Sequence, residues 1–113
     1  MITPLACSLA GQQHRVIVRA GTLAAKLYGS ADPVEDYYCN YGVNPDYHAE
    51  IERHGMIVSG VGDAGEMRII ELPAHPFFMG TLFLPQARSK ASRPHPLLVG
   101  YADAVAAARP IKR

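Results

Sequence analysis

Apolar positions along this chain fall in short runs punctuated by glycine and proline, with three stretches between them that read as helices. Thr3 to Leu9 is a short apolar run that suits a strand. His14 to Arg19, HRVIVR, is β-branched and lies between Gly11 and Gly21, which predicts a second strand entered through a turn. Thr22 is an N-cap candidate for LAAKLYG, a short helix that Gly29 can end in the left-handed conformation. The aromatics of Tyr37 to Val43 favour a strand. Asn44-Pro45 then places a cap and a first-turn proline before DYHAEIERHG, with Gly55 as the stop.

The second half continues in the same way. Met56 to Ser59 reads as a strand, Gly60 to Gly65 as a turn, and Glu66 to Leu72 as the antiparallel partner. Phe77 to Phe83 is apolar almost throughout, which predicts a buried strand. Pro96 opens the last helix, LLVGYADAVAAA, and Pro110 ends it. Its apolar positions Leu97, Val99, Tyr101, Val105 and Ala108 only partly share one face. About six strands and three helices predict an α/β or α+β fold, a mixed and largely antiparallel sheet with helices packed on it.

Composition narrows the partners more than the chemistry. At 113 residues the chain reads as one domain, 1–113, able to bury roughly two-thirds of its unfolded surface. Net charge is +1 without a block of like charges, so neither nucleic acid nor an anionic membrane is an expected partner. The densest basic stretch, Arg88, Lys90 and Arg93, sits among Ser, Pro and Ala. It reads as a solvated loop, with an anion-binding role as the alternative. No apolar run approaches the roughly 18–20 residues that span a bilayer. The start MITP lacks the basic and apolar pattern of a signal peptide, so a cytoplasmic location is expected. Two cysteines, Cys7 and Cys39, suit a reducing compartment. Five histidines are scattered without metal-ligand spacing, and neither a metal nor a cofactor is expected.

Three phrases carry a family resemblance. They are GTLAAKLYG (Gly21–Gly29), EDYYCNYGVN (Glu35–Asn44) and IIELPAHPFFMGTLFLPQARSKASRPHPL (Ile69–Leu97). In order and spacing they resemble the glutamine amidotransferase region of CTP synthases, where comparable runs read GSLAAKIYG, ERHRHRYEVN, and ELP, HPFF, QFHPE and RPxxPHPL. ITPLACSL (Ile2–Leu9) and YYCNYGVNP (Tyr37–Pro45) bring the chain closer still to a group related to the C-terminal region of CTP synthase, some of whose members are selenoproteins. The resemblance implies the C-terminal half of a class I glutamine amidotransferase domain. Members usually carry an upstream half with a Gly-Thr-Cys-Gly-Gly type elbow, and this chain begins after it. A natural half-domain, or a fragment of a longer enzyme whose upstream half holds the nucleophile, are both implied.

The same resemblance argues against the ancestral reaction. The His and Glu of HPE complete a Cys-His-Glu triad in the family, and the aligned positions here are Leu84 and Gln86. Leu84 has no group to take a thiol proton, and Gln86 is a neutral amide. Cys7 lacks the elbow's glycine frame. Loss of a working triad costs on the order of 10^4 to 10^6 in rate, so glutaminase activity is not expected of this chain. The expected role is a degenerate binding or assembly module.

Cys39, in place of a family His, is the residual catalytic candidate, a peroxide- or thiol-reactive residue with Cys7 as a conceivable resolving thiol. The plainer reading is a buried cysteine acting as a small apolar residue. Tyr38, Asn40, Tyr41 and Asn44 could line a ligand pocket for an unidentified small molecule, Asn40 standing where the family has a glutamine-holding Arg. His75 and His95 each sit in a His-Pro pair and read as turn residues. A lone half-domain leaves a sheet edge to be paired or covered, so a homo-oligomer (a dimer) or a separate nucleophile-bearing half-domain is the expected partner.

Overall fold

A computed structural model describes residues 1–5, 8–29 and 32–108; Cys7 and Pro110 lie outside them. The main sheet has four antiparallel strands: β3 (Ile17–Val18), β6 (Ile57–Val61), β7 (Met67–Glu71) and β8 (Met79–Thr81), side by side in that order. Two antiparallel ladders flank it. One pairs β1 (Ile2–Pro4) with β5 (Tyr41–Val43), the other pairs β2 (Gln12–Arg15) with β4 (Val34–Tyr37). Three helices complete the α/β fold: α1 (Leu23–Tyr28), α2 (His48–Arg53) and α3 (Pro96–Ala107). Every strand pair among the described residues is antiparallel. None of the helices described is long and apolar enough to cross a membrane.

The β6–β7 hairpin is the centre of the sheet, and its geometry follows from small residues. The turn closes through Gly62 N–H to the Glu66 carbonyl at 2.8 Å. A register shift between Val58 and Gly60 marks a bulge in β6. Gly60 lies so close to β7 that a Cβ would meet Ile69 Cγ1 at 2.7 Å and Val16 Cγ1 at 3.0 Å. Only glycine lets strand, bulge and core residue approach in this way. Ile69 and Val16 are both fully buried.

Helix α1 starts and stops where its sequence indicates. Thr22 Oγ1 accepts from Ala25 N–H at 3.2 Å, and Gly29 ends the helix at φ +69°. Asn44 Oδ1 accepts from Asp46 N–H at 2.9 Å, but the turn it caps is a 3-10 turn (Pro45–Tyr47), and α2 follows only from His48.

Several predicted elements divide differently. HRVIVR is two strands: β2 joins β4, β3 joins the main sheet, and Val16 between them drops into the core while its N–H donates to Pro33 at 2.8 Å. Tyr37 to Val43 divides likewise into the end of β4 and all of β5, in separate ladders. The predicted buried strand Phe77–Phe83 is only the three-residue β8, half-buried at the sheet edge. Phe78 is exposed, and the burial falls on Phe83 beyond the strand. A short edge strand limits unwanted pairing. In α3, Leu97 and Gly100 face inward, while Val99, Tyr101, Val105 and Ala108 are exposed, so that apolar set is not a core face.

The core gathers Ala24, Tyr37, Ile69 and Leu97 from four elements and Leu9, Val16 and Phe83 from the links between elements. Tyr37 and Phe83 meet edge to face with ring centroids 5.9 Å apart. That packing places the C-terminal end of β4 directly against the segment following β8, where Cys39 and Leu84 lie near each other.

Candidate functional site

Tyr38 to Asn40 forms the crossing between β4 and β5, and it runs beside the segment Leu82–Leu84. Cys39 Sγ donates to the Leu82 carbonyl at 3.7 Å, and Leu84 N–H donates to the Asp36 carbonyl at 3.0 Å. The structure therefore brings Cys39 close to the Leu84 turn. Leu84 is half-buried and leads a short 3-10 turn (Pro85–Arg88), in which Gln86 is exposed.

The setting of Cys39 shifts its thiol pKa upward. Burial pushes its pKa above the ordinary thiol value, with the Arg68 guanidinium and two backbone N–H groups opposing less strongly. A reactive cysteine needs the opposite balance. Cys39 packs against the apolar core as a small residue.

The four pocket candidates do not share one cleft. Tyr38 lines a polar cleft of about 370 Å³ with Gln12, Gln13 and Asp36. The Asn40 side chain accepts from the Ser8 hydroxyl. Tyr41 is exposed, and Asn44 serves as the cap already described. Among the described residues no group of His, Cys, Asp or Glu could hold a metal ion.

The sequence reading missed two buried polar centres. The first is Glu35, fully buried on β4. Its Oε2 takes a hydrogen bond from the Tyr28 hydroxyl and lies 2.6 Å from His95 Nε2. His95 Nδ1 accepts from Leu97 N–H at 3.1 Å, so Nδ1 carries no proton and Nε2–H is the donor to the carboxylate. Burial, then the bond to Glu35, pushes the Tyr28 phenol far up. His95 is thus not a turn residue of the His75 kind. It caps α3 and locks α3, α1 and β4 together, whereas His75 is exposed and only tilts against Phe78.

The second centre is Arg68 on β7, only 8% exposed. Its guanidinium lies 5.5 Å from the Tyr37 ring centroid and donates to the Met67 carbonyl at 3.3 Å, with Glu66 3.8 Å away. Burial pushes the Tyr37 phenol up to about 12, with Arg68 pulling the other way. Arg68 separates two mostly apolar clefts of about 170 and 460 Å³, both also lined by Val43.

This fold matches part of a glutaminase domain. The glutaminase domain of Trypanosoma brucei CTPS with bound acivicin matches it with a TM-score of 0.84 at 25% identity, over 94% of this chain and 42% of that one. In sequence the chain is a relative of CTP synthases. It is 46% identical over 90 residues to the CTP synthase of Archaeoglobus fulgidus, a match covering 79% of this chain and 17% of the relative. With the Synechococcus sp. (strain JA-2-3B'a(2-13)) enzyme the figures are 43% over 97 residues, 85% of this chain and 18% of the relative. The CTP synthase of Saccharolobus solfataricus is 35% identical over 105 residues, 93% of this chain and 20% of the relative. The chain spans about a fifth of the length of the curated relatives it matches. No family model matches it.

Proposed function

We propose that this chain is a glutamine amidotransferase-like domain that does not by itself hydrolyse glutamine and acts as a binding or assembly module. The observation that carries this reading is the Leu84–Gln86 turn. Where the resemblance calls for a proton acceptor and a carboxylate, the chain offers a half-buried alkyl side chain and an exposed neutral amide. General base catalysis needs a group within hydrogen-bond reach of the proton it removes, and neither side chain is such a group. Burial shifts the pKa of the Cys39 thiol, beside this turn, upward, away from the thiolate that either hydrolysis or peroxide chemistry would use.

Assembly is supported by what lies open. β8 is an edge strand, and the clefts on either side of Arg68 are walled by Leu5, Leu9, Val43, Met67, Ile70 and Leu82. The matched glutaminase domain is more than twice the length covered here. The partner we propose is the nucleophile-bearing half of such a domain, on the same polypeptide or a separate one, with a second copy of this chain as the alternative. Incubation of the purified chain with glutamine tests the catalytic claim, and ammonia formed in proportion to protein would overturn it. Light scattering tests the alternative partner: a strict monomer at high concentration removes the second copy.

A further inference from the structure

Arg88, Lys90 and Arg93 converge on one bay. Its walls are these three cations, Ser92 and Asp36, and its volume is about 520 Å³. Residues 90–93 form a tight turn in which Lys90 N–H donates to Arg93 at 3.1 Å and Arg93 N–H donates back at 3.0 Å. Residues paired in this way project to the same side. Two like charges opposite each other are destabilising unless something of the other sign lies between them. Among the described residues neither Lys90 nor Arg93 has an acidic partner. Arg88 is aimed by Asp36, whose Oδ1 lies 3.3 Å from its guanidinium.

The bay also adjoins the buried Glu35–His95 contact. Asp36 adjoins Glu35, and the turn adjoins His95, whose N–H donates to Ser89 Oγ at 3.0 Å. The Glu35–His95 bond therefore ties the two walls together from beneath. The Leu84 N–H to Asp36 bond adds a third tie. The side chains of Arg88, Lys90 and Arg93 are exposed, but the backbone that carries them is held at both ends, which keeps the three cations near one another.

We propose that this bay binds a phosphate group, either free phosphate or the phosphate of a phosphorylated small molecule. A phosphate dianion matches the three cations against one carboxylate, and its oxygens suit the donors of two guanidinium groups, one ammonium and the Ser92 hydroxyl. This bay adjoins the Leu84 turn through Asp36 and Arg88 but contains neither Cys39 nor Leu84, and the proposal does not depend on the proposed lack of glutaminase activity.

The test is titration of the full chain with inorganic phosphate and with glycerol phosphate, followed by amide chemical shifts and melting temperature, with sodium chloride at matched ionic strength as the control. Saturable shifts centred on residues 88–93 are expected with the phosphates and not with chloride. The Lys90→Ala/Arg93→Ala double variant should weaken binding at least tenfold, and Lys26→Ala, outside the bay, should leave it unchanged. Tighter binding of glycerol phosphate than of inorganic phosphate assigns the site to a phosphorylated small molecule, and the reverse order assigns it to free phosphate. Equal effects of chloride and phosphate, or unchanged affinity in the double variant, would overturn the proposal.

Discussion

Replacing His95 by alanine should be among the most destabilising single changes available to this fold. The substitution removes the Nε2–H bond to Glu35, the Nδ1 acceptor that caps Leu97, and the edge-to-face contact with Tyr28 at 5.7 Å. A buried hydrogen bond to a charged group contributes about 1.5–3 kcal/mol, a helix cap about 1 and an aromatic contact about 0.5–1.5. These contributions overlap, so the expected loss is about 3–5 kcal/mol. Whole-domain stability is about 5–15 kcal/mol. In urea, with a slope of about 2 kcal/mol/M, the midpoint should fall by about 2 M. The matched control is His75→Ala, the other His-Pro histidine, which is exposed and should cost less than about 0.5 kcal/mol. A double-mutant cycle with Glu35→Gln should show coupling of at least about 1 kcal/mol. If His95→Ala falls within about 1 kcal/mol of His75→Ala, the buried network does not hold α3 to β4 and the reasoning fails.

Alkaline pH should unfold the chain. Tyr28 and Tyr37 both have folded phenol pKa values raised above the unfolded value, mainly by burial. Above about pH 10 the unfolded state binds fewer protons than the folded state, so stability is intact below that pH and falls as pH rises toward 12. A spectrophotometric titration should show two of the six tyrosines keeping their protons until the cooperative transition, and smooth loss of all six without unfolding would count against it. Glu71 is buried, and its two carboxylate oxygens accept from Leu23 and Ala24 N–H at 3.1 and 2.7 Å. Glu71→Ala should lower stability by about 2–3 kcal/mol in urea denaturation, and Glu71→Gln by less, because one acceptor oxygen survives. Alkylation of Cys39 by iodoacetamide should titrate with an apparent pKa above the ~8.5 of a free thiol, and a value below it would restore the thiol-reactive reading.

What was legible in the sequence was local. The Thr22 cap, the Gly29 stop and the β6–β7 hairpin depend on residues a few positions apart; the first two form where their signals lie, and the hairpin forms with its first strand running on through Gly60 and Val61, which read as turn. What was not legible depends on pairing across the chain. HRVIVR carries a single strand's pattern, yet its two halves pair with β4 and β6, and it divides at Val16. The apolar run after Phe77 predicts a buried strand, but its burial is decided by Tyr37, which sits 40 residues earlier in β4 and packs on Phe83. The family resemblance indicated the fold and the altered Leu84 and Gln86 positions, and it drew attention to Cys39. It did not show that a glutamate in a strand and a histidine before a proline would meet 60 residues apart, because nothing local distinguishes His95 from His75. The basic stretch Arg88, Lys90 and Arg93 was visible in the sequence, but that the three line one bay with Asp36 depends on the turn at residues 90–93.

Ammonia release from glutamine is the most direct test of the central claim. With the purified chain over a concentration series, and a Cys39→Ala variant beside it, the expected result is release at the level of the buffer blank for both proteins. Release that rises in proportion to the unmodified chain and disappears in the variant would contradict the claim, because it would require Cys39 to act as a nucleophile without a base at Leu84.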